Sequence, residues 1–161
     1  MEGIGLEISK RFTIGEEIAN SITHGIGSAL SIAALVLMIV SAVKFKGPLD
    51  VFGVTLYGSS MVFLYTSSTL YHAFTGKVVK NVFERMDHAG IYLLIAGSYT
   101  PFCLTLIGGK MGITIFIIQW VLAITGVVFK SIWVNRYVAL HTIIFLILGW
   151  MIMVVIKPLY L

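Results

Sequence analysis

The chain has 161 residues, of which 58% are hydrophobic and only 11% are charged, and its formal net charge is +4. Soluble domains carry about 25% charged residues, so this composition excludes a chain that is mostly water-exposed. The net positive charge does not indicate a nucleic-acid partner, because Lys and Arg in a membrane protein mainly set its orientation. The lone Cys103 excludes an intrachain disulfide.

Five long apolar runs with almost no charge are separated by clusters of charged residues. A run of about 18 or more apolar residues is typical of a transmembrane helix, because it can cross about 30 Å of hydrocarbon. We therefore predict an all-α integral membrane protein with an N-terminal segment (1–16) and a membrane domain (17–161). The five predicted helices cover about residues 17–43, 50–74, 87–107, 111–131 and 137–157. A soluble helical protein is disfavoured, because these runs leave no polar faces for water.

Two glycine-containing sequences mark the sharpest predicted turns. Lys46-Gly47-Pro48 separates the first two helices, and Gly108-Gly109-Lys110 joins the third and fourth. Pro101 falls within the third predicted helix and should kink it, because proline lacks a backbone N–H.

The placement of the eleven Lys and Arg residues predicts the orientation. Alternate loops lie on opposite sides of a membrane, and cytoplasmic loops carry the excess of positive residues. One side has seven: Lys10, Arg11, Lys77, Lys80, Arg85, Lys130 and Arg136. The other side has four: Lys44, Lys46, Lys110 and Lys157. We therefore predict a cytoplasmic N-terminus.

Polar residues in the first helix recur at helical spacing and predict a polar stripe. The stripe contains Glu17, Asn20, Ser21, His24, Ser28 and Ser31. A polar stripe in a membrane should face the bundle interior or a water-filled cavity. For the serines, helix–helix contact is the favoured interpretation. For Glu17 and His24, structural and functional roles both remain open.

Three residues of the second and third helices are candidates for a chemical site. Ser68 and His72 are four residues apart and therefore share a helical face. A histidine with a hydroxyl one turn away can be a metal ligand with a supporting partner, although simple hydrogen bonding is the alternative. Asp87 lies where the charges stop, so it is either a helix N-cap or a functional acid.

The predicted topology places the ionisable residues of the helices at one end of the bundle. They are Glu17, His24, His72, Asp87, His88 and His141. Ionisable residues are costly inside a membrane and usually mark a functional site. The pattern therefore indicates a polar, possible metal-binding cavity at the predicted cytoplasmic end.

Several motifs together resemble the bacterial hemolysin III family, within the progestin and adipoQ receptor superfamily. They are EEIANSITHG (16–25), STLYH (68–72), RMDHAGIYLLIAGSYTPF (85–102), Gly149-Trp150 and Ile156-Lys157-Pro158. The resemblance extends from about Glu16 to Pro158. It implies a bacterial inner-membrane protein with several membrane-spanning helices.

Proteins of this kind have seven helices and are similar to alkaline ceramidases, regarded as metal-dependent membrane hydrolases. The resemblance implies that His72 is a zinc ligand and that Ser68 and Asp87 lie beside the water that the zinc activates. It also implies two more zinc-binding histidines, in the spacing H-x3-H, on a seventh helix. The substrate it implies is a lipid amide.

This sequence departs from the family pattern because it ends at Leu161, after the fifth predicted helix, without an H-x3-H pair. We expect either a truncated product or a chain completed by a second polypeptide that supplies the missing helices, with a homo-oligomer as the alternative partner. Membrane lipids are the other expected partners. Besides hydrolysis, two functions remain open: damage to membranes, and lipid sensing without turnover.

Overall fold

The computed structural model describes residues 12–133 and 138–153. Over these residues the chain forms helices and no strands, which confirms the predicted all-α class. The helices are α1 (Ile14–Phe45), α2 (Pro48–Ala73), α3 (Lys77–Pro101), a π-helix (Phe102–Ile107), α4 (Gly109–Ile132) and α5 (Val138–Trp150). Four helical segments, with the π-helix counted as part of α3, are long and apolar enough to cross a membrane. The described part of α5 is a shorter apolar helix.

The helix ends follow from local sequence signals. Thr13 caps α1, and its side chain and that of Glu16 form a reciprocal capping box. Gly47 is the N-cap of α2, and Pro48 occupies the first helical position. A backbone N–H at that position would have no acceptor within the helix, so proline loses no hydrogen bond there. Gly108 and Gly109 have φ values of 59° and 55°, a left-handed conformation that favours glycine. Both predicted turns are therefore confirmed.

The third helix begins at Lys77, ten residues before its predicted start at about residue 87. Its N-cap is Gly76, so Asp87 lies in the third turn of α3. The interpretation of Asp87 as an N-cap is therefore wrong. The predicted start was too late because the apolar run marks only the membrane-embedded part of the helix. The charged residues 77–85 continue that helix beyond the apolar part. This extension carries Lys80 to the end of the bundle beside α1 and α2.

The helices pack mainly on their neighbours in sequence, with α2 between α1 and α3, and α3 also against α4 and α5. The predicted stripe of α1 does face α2. Ser21 donates to the carbonyl of Thr69 over 3.4 Å, and Ser28 and Thr66 share a hydrogen bond of 2.7 Å between their hydroxyls. The opposite face of α1 is exposed and apolar, with Ile18, Ile22, Ile26 and Leu30.

The buried core lies between α3, α4 and α5. One group consists of Tyr92, Ala96, Ala123 and Leu148, which are completely buried. Pro101 ends the regular α-helix, and the chain continues as the π-helix, in which a backbone bond joins Gly108 N to Cys103 O over 3.1 Å. Proline cannot donate a backbone hydrogen bond, so this change of helix type occurs at the residue where a distortion was expected.

Candidate functional site

Six polar side chains from the first three helices meet at one end of the bundle. They are Glu17 and His24 of α1, Ser68 and His72 of α2, and Lys80 and Asp87 of α3, and we call them the polar cluster. Three separate helices thus contribute two residues each. Most of these contacts join residues more than forty positions apart, so the fold and not local sequence brings the cluster together.

Helical spacing explains why each helix can contribute two residues. Glu17 and His24 are seven residues apart on α1, which is about two turns. Ser68 and His72 are four apart on α2, and the two side chains occupy one face. Both are buried, with exposed fractions of 1% and 8%. The polar face of α1 and this face of α2 therefore meet along their shared interface.

The Ser68 hydroxyl lies at the centre of one hydrogen-bond chain. Its oxygen is 2.5 Å from Nδ1 of His24, and it is also hydrogen-bonded to the carboxylate of Asp87. A carboxylate only accepts, and a hydroxyl has a single hydrogen to donate. When Asp87 is ionised, Ser68 donates to it and accepts from Nδ1–H of His24.

A second chain runs through Glu17. Nδ1 of His72 lies 2.6 Å from one carboxylate oxygen, and the Lys80 ammonium donates to the other oxygen over 2.5 Å. Asp87 interacts electrostatically with both His72 and His24, which connects the two chains. The cluster thus contains two carboxylates, two imidazoles, a hydroxyl and an ammonium group within reach of one another.

Aromatic rings surround the two histidines. The ring of His72 lies 5.4 Å from that of Phe12 and 4.7 Å from that of Tyr71, measured between centroids. The ring of Tyr65 lies edge-on to His24 at 5.9 Å. The two histidine rings are themselves 6.0 Å apart and nearly perpendicular. Apolar ring faces limit water around these polar groups and so strengthen the interactions between them.

The other two histidines lie outside the polar cluster. The His88 ring is 6.5 Å from that of Tyr71, one residue from His72 in the chain. His141 is buried between α3, α4 and α5, where Tyr92 Oη lies 2.7 Å from its Nδ1. Of the six ionisable residues expected to share one end, Glu17, His24, His72 and Asp87 are therefore brought together.

Comparisons with known proteins agree on one family. The family model described as "Haemolysin-III related" matches residues 12–161. The chain is 49% identical over 149 residues to "Hemolysin-3 homolog" of Bacillus subtilis (strain 168), covering 92% of this chain and 70% of that protein. It is 48% identical over 147 residues to "Hemolysin-3" of Bacillus cereus, covering 91% and 67%. The chain belongs to the haemolysin III family. No solved structure matches it.

For a haemolysin III protein, the question is whether the described residues suit the zinc that the family resemblance implies. A metal-binding histidine commonly gives its second ring N–H to a carboxylate. His72 has this arrangement, because the Glu17 carboxylate accepts a hydrogen bond from Nδ1–H and leaves Nε2 as the coordinating atom. The donor chemistry at His72 therefore fits zinc. Within residues 12–133 and 138–153, no three His, Cys, Asp or Glu side chains could by themselves hold a metal ion.

Sequence reasoning gave chemical roles to Ser68, His72 and Asp87, and it placed Glu17 and His24 on one stripe at the same end of the bundle with their roles open. The structure brings these two residues into contact with His72 and Ser68. It also adds Lys80, whose role had no sequence signal because it lies before the apolar part of α3. The contact of Tyr92 with His141 had no signal in this haemolysin III sequence, because it depends on how α5 packs on α3.

Proposed function

We propose that this protein is a zinc-dependent hydrolase of lipid amides within the membrane. The observation that carries the proposal is the convergence of Ser68, His72 and Asp87 in one partly buried, hydrogen-bonded cluster. These are the residues to which the family resemblance gives roles. A strongly polar cluster in a membrane bundle is costly to maintain and is typically functional.

Each residue has a distinct role in this proposal. His72 binds the zinc through Nε2, and zinc when bound supplies a Lewis acid that makes a water nucleophilic near neutral pH. Asp87 orients the attacking water or takes its proton as a general base. Ser68, which donates to Asp87 in the structure, holds that carboxylate in place and offers its hydroxyl to the water or to the developing oxyanion.

Catalytic zinc normally has three protein ligands and an open position. The proposal therefore needs two ligands in addition to His72, and the H-x3-H pair implied by the family resemblance would supply them. This sequence has no H-x3-H pair, so within this proposal the pair comes from residues outside it, and a second copy of the same sequence would not supply it. The polar cluster is the surface of α1, α2 and α3 on which the completed site would form.

Lipid amides are the substrates that suit the position of the cluster. The protein is a multi-pass membrane protein, and Ser68 and His72 lie near the end of a spanning helix. An amide linkage near a lipid headgroup would reach this depth while the acyl chains stay among the apolar helix faces. We place the protein in the bacterial inner membrane, with the polar cluster in the cytoplasmic half and the N-terminus in the cytoplasm.

The names of the two relatives suggest membrane lysis as a second candidate. A pore requires a continuous polar lining, whereas the polar cluster occupies one end of the described bundle. The other end of α1 is rich in exposed apolar residues, including Val36, Leu37, Val40 and Val43. Hydrolysis is therefore favoured over lysis. Lipid sensing without turnover would use the same cluster and differs only in the absence of a product.

The first test is the zinc content of the purified protein, measured by mass spectrometry of the metal, with His72→Ala as the comparison. We expect bound zinc in the wild type and its loss in the variant, because the variant lacks the coordinating imidazole. A wild-type protein without zinc after incubation with the metal would overturn the proposal for this chain.

The second test uses liposomes that contain a ceramide and an entrapped dye. Release of fatty acid, detected by mass spectrometry and lost in Asp87→Asn, is the expected result. Zinc binding without a product would favour the sensor, and dye release without a product would favour the lytic protein.

A further inference from the structure

The Glu17 carboxylate binds both His72 and the Lys80 ammonium of the polar cluster. Its two carboxylate oxygens have different partners: Nδ1 of His72 at 2.6 Å and the ammonium of Lys80 at 2.5 Å. The side chains of Glu17 and His72 keep only 21% and 6% of their accessible surface. Three helices thus join at one carboxylate, in a place where water competes only weakly for the hydrogen bonds.

This geometry determines which nitrogen of His72 carries the hydrogen. An ionised carboxylate has no hydrogen to donate, so the 2.6 Å contact requires an N–H at Nδ1. In a neutral imidazole the other nitrogen is then an acceptor with a free lone pair. Nε2 of His72 is consequently the nitrogen that can bind a metal or accept a proton.

Lys80 makes the arrangement more rigid. A glutamate side chain has several rotatable bonds, and holding one carboxylate oxygen still leaves the group free to turn. Lys80 binds the second oxygen and lies 4.9 Å above the ring of Tyr71, the residue next to His72. The ammonium group also lies opposite the negative charge of Glu17, which favours this placement of the carboxylate.

We propose that Glu17, held by Lys80, is the positioning residue of the site: it fixes His72 in the Nδ1–H tautomer and presents Nε2 for coordination. The metal-binding part of this inference rests on the proposed function, whereas the assignment of the His72 tautomer does not depend on it. Partners of this kind typically change metal affinity by about 10- to 100-fold when they are removed. A purely structural ion pair would instead change only stability.

The test compares Glu17→Ala and Glu17→Gln with Glu16→Gln. Glu16 is the matched control, because it is the adjacent carboxylate and its hydrogen bonds go to Thr13 in the cap of α1. Zinc affinity of the full chain is measured by competition with a chromophoric chelator. We expect a loss of about 10- to 100-fold in Glu17→Ala, a smaller loss in Glu17→Gln, whose amide oxygen can still accept, and no change in Glu16→Gln. Thermal unfolding in detergent confirms that each variant is folded.

A second measurement does not depend on zinc. Nitrogen-15 spectra of the imidazoles, assigned with His72→Ala, report which ring nitrogen carries the hydrogen. We expect a single Nδ1–H tautomer for His72 in the wild type and a mixture in Glu17→Ala. An Nε2–H tautomer in the wild type, or Glu17→Ala with unchanged tautomer and affinity, would overturn the inference. A wild type that binds no zinc but holds the Nδ1–H form would refute the hydrolase and support the positioning role.

Discussion

At the residue scale, hydrogen-bond direction carries more information than proximity. When Asp87 and Glu17 are ionised, His24 and His72 both donate from Nδ1, the first toward Ser68 and the second toward Glu17. Each chain ends on a carboxylate, Asp87 or Glu17, because carboxylates are the acceptors at which such chains must stop. The two imidazoles therefore have their acceptor nitrogens, Nε2, left over for chemistry.

Tyr92 and His141 form a separate buried pair whose strength can be measured. Nε2 of His141 is buried without a hydrogen-bond partner among the described residues, so the 2.7 Å contact of Nδ1 with Tyr92 Oη is the bond identified for this ring. We expect Tyr92→Phe to destabilise the protein by about 1 kcal/mol, because it leaves a second buried nitrogen unpaired.

Denaturation in mixed detergent micelles measures this free energy of unfolding, and a cycle with His141→Phe isolates the pair. In the His141→Phe background, the additional effect of Tyr92→Phe should nearly vanish. If Tyr92→Phe is equally destabilising in both backgrounds, the hydrogen bond is not the source of the effect.

At the scale of helices, the membrane makes some features predictable and leaves others open. Four of the five predicted long apolar helices and the polar stripe of α1 are found in the described residues, and they follow from the high cost of exposing polar groups to lipid. The turn at Gly108 follows from its need for a positive φ. The start of α3 did not follow, since charged residues such as Lys80 can continue a helix into water. The pairing of α5 with Tyr92 depends on packing between distant segments, for which a single sequence has no periodic signal.

Close approach of the π-helix and α4 depends on Gly112. A Cβ atom at this position would overlap the backbone carbonyl oxygen of Cys103, which cannot rotate away as a side chain could. We expect Gly112→Ala to lower the free energy of unfolding by about 1–3 kcal/mol, the usual range for overpacking.

Gly15→Ala is the control for this substitution, because it is also helical but has nothing within 4 Å of the added carbon. It should be neutral or slightly stabilising, since alanine favours the helix. Equal melting temperatures for Gly112→Ala and Gly15→Ala would show that α4 does not pack this closely on the π-helix.

At the scale of the whole molecule, the described bundle is chemically asymmetric along its axis. The polar cluster joins the start of α1, the end of α2 and the first turns of α3. At the opposite end, where a loop connects α1 to α2, Lys46 and Asp50 lie near apolar residues such as Leu37 and Val54. A catalytic or sensing site at one end of a membrane protein faces one compartment only. The orientation of the bundle therefore decides which compartment the polar cluster serves.

The distribution of positive charge predicts that the polar cluster faces the cytoplasm. One added cysteine per variant can test this orientation, because native Cys103 is completely buried and should not react with a membrane-impermeant maleimide. Thr75→Cys introduces a thiol in the exposed α2–α3 loop beside the polar cluster, and Lys46→Cys introduces one in the exposed α1–α2 loop at the other end.

In intact spheroplasts we expect labelling of Lys46→Cys alone, and after lysis labelling of both variants, with the wild type unlabelled throughout. Removing Lys46 lowers the smaller count of positive residues and therefore reinforces the predicted orientation. Labelling of Thr75→Cys in intact spheroplasts would reverse it. The polar cluster would then face the cell exterior, and its substrate or ligand would have to be available in the outer leaflet.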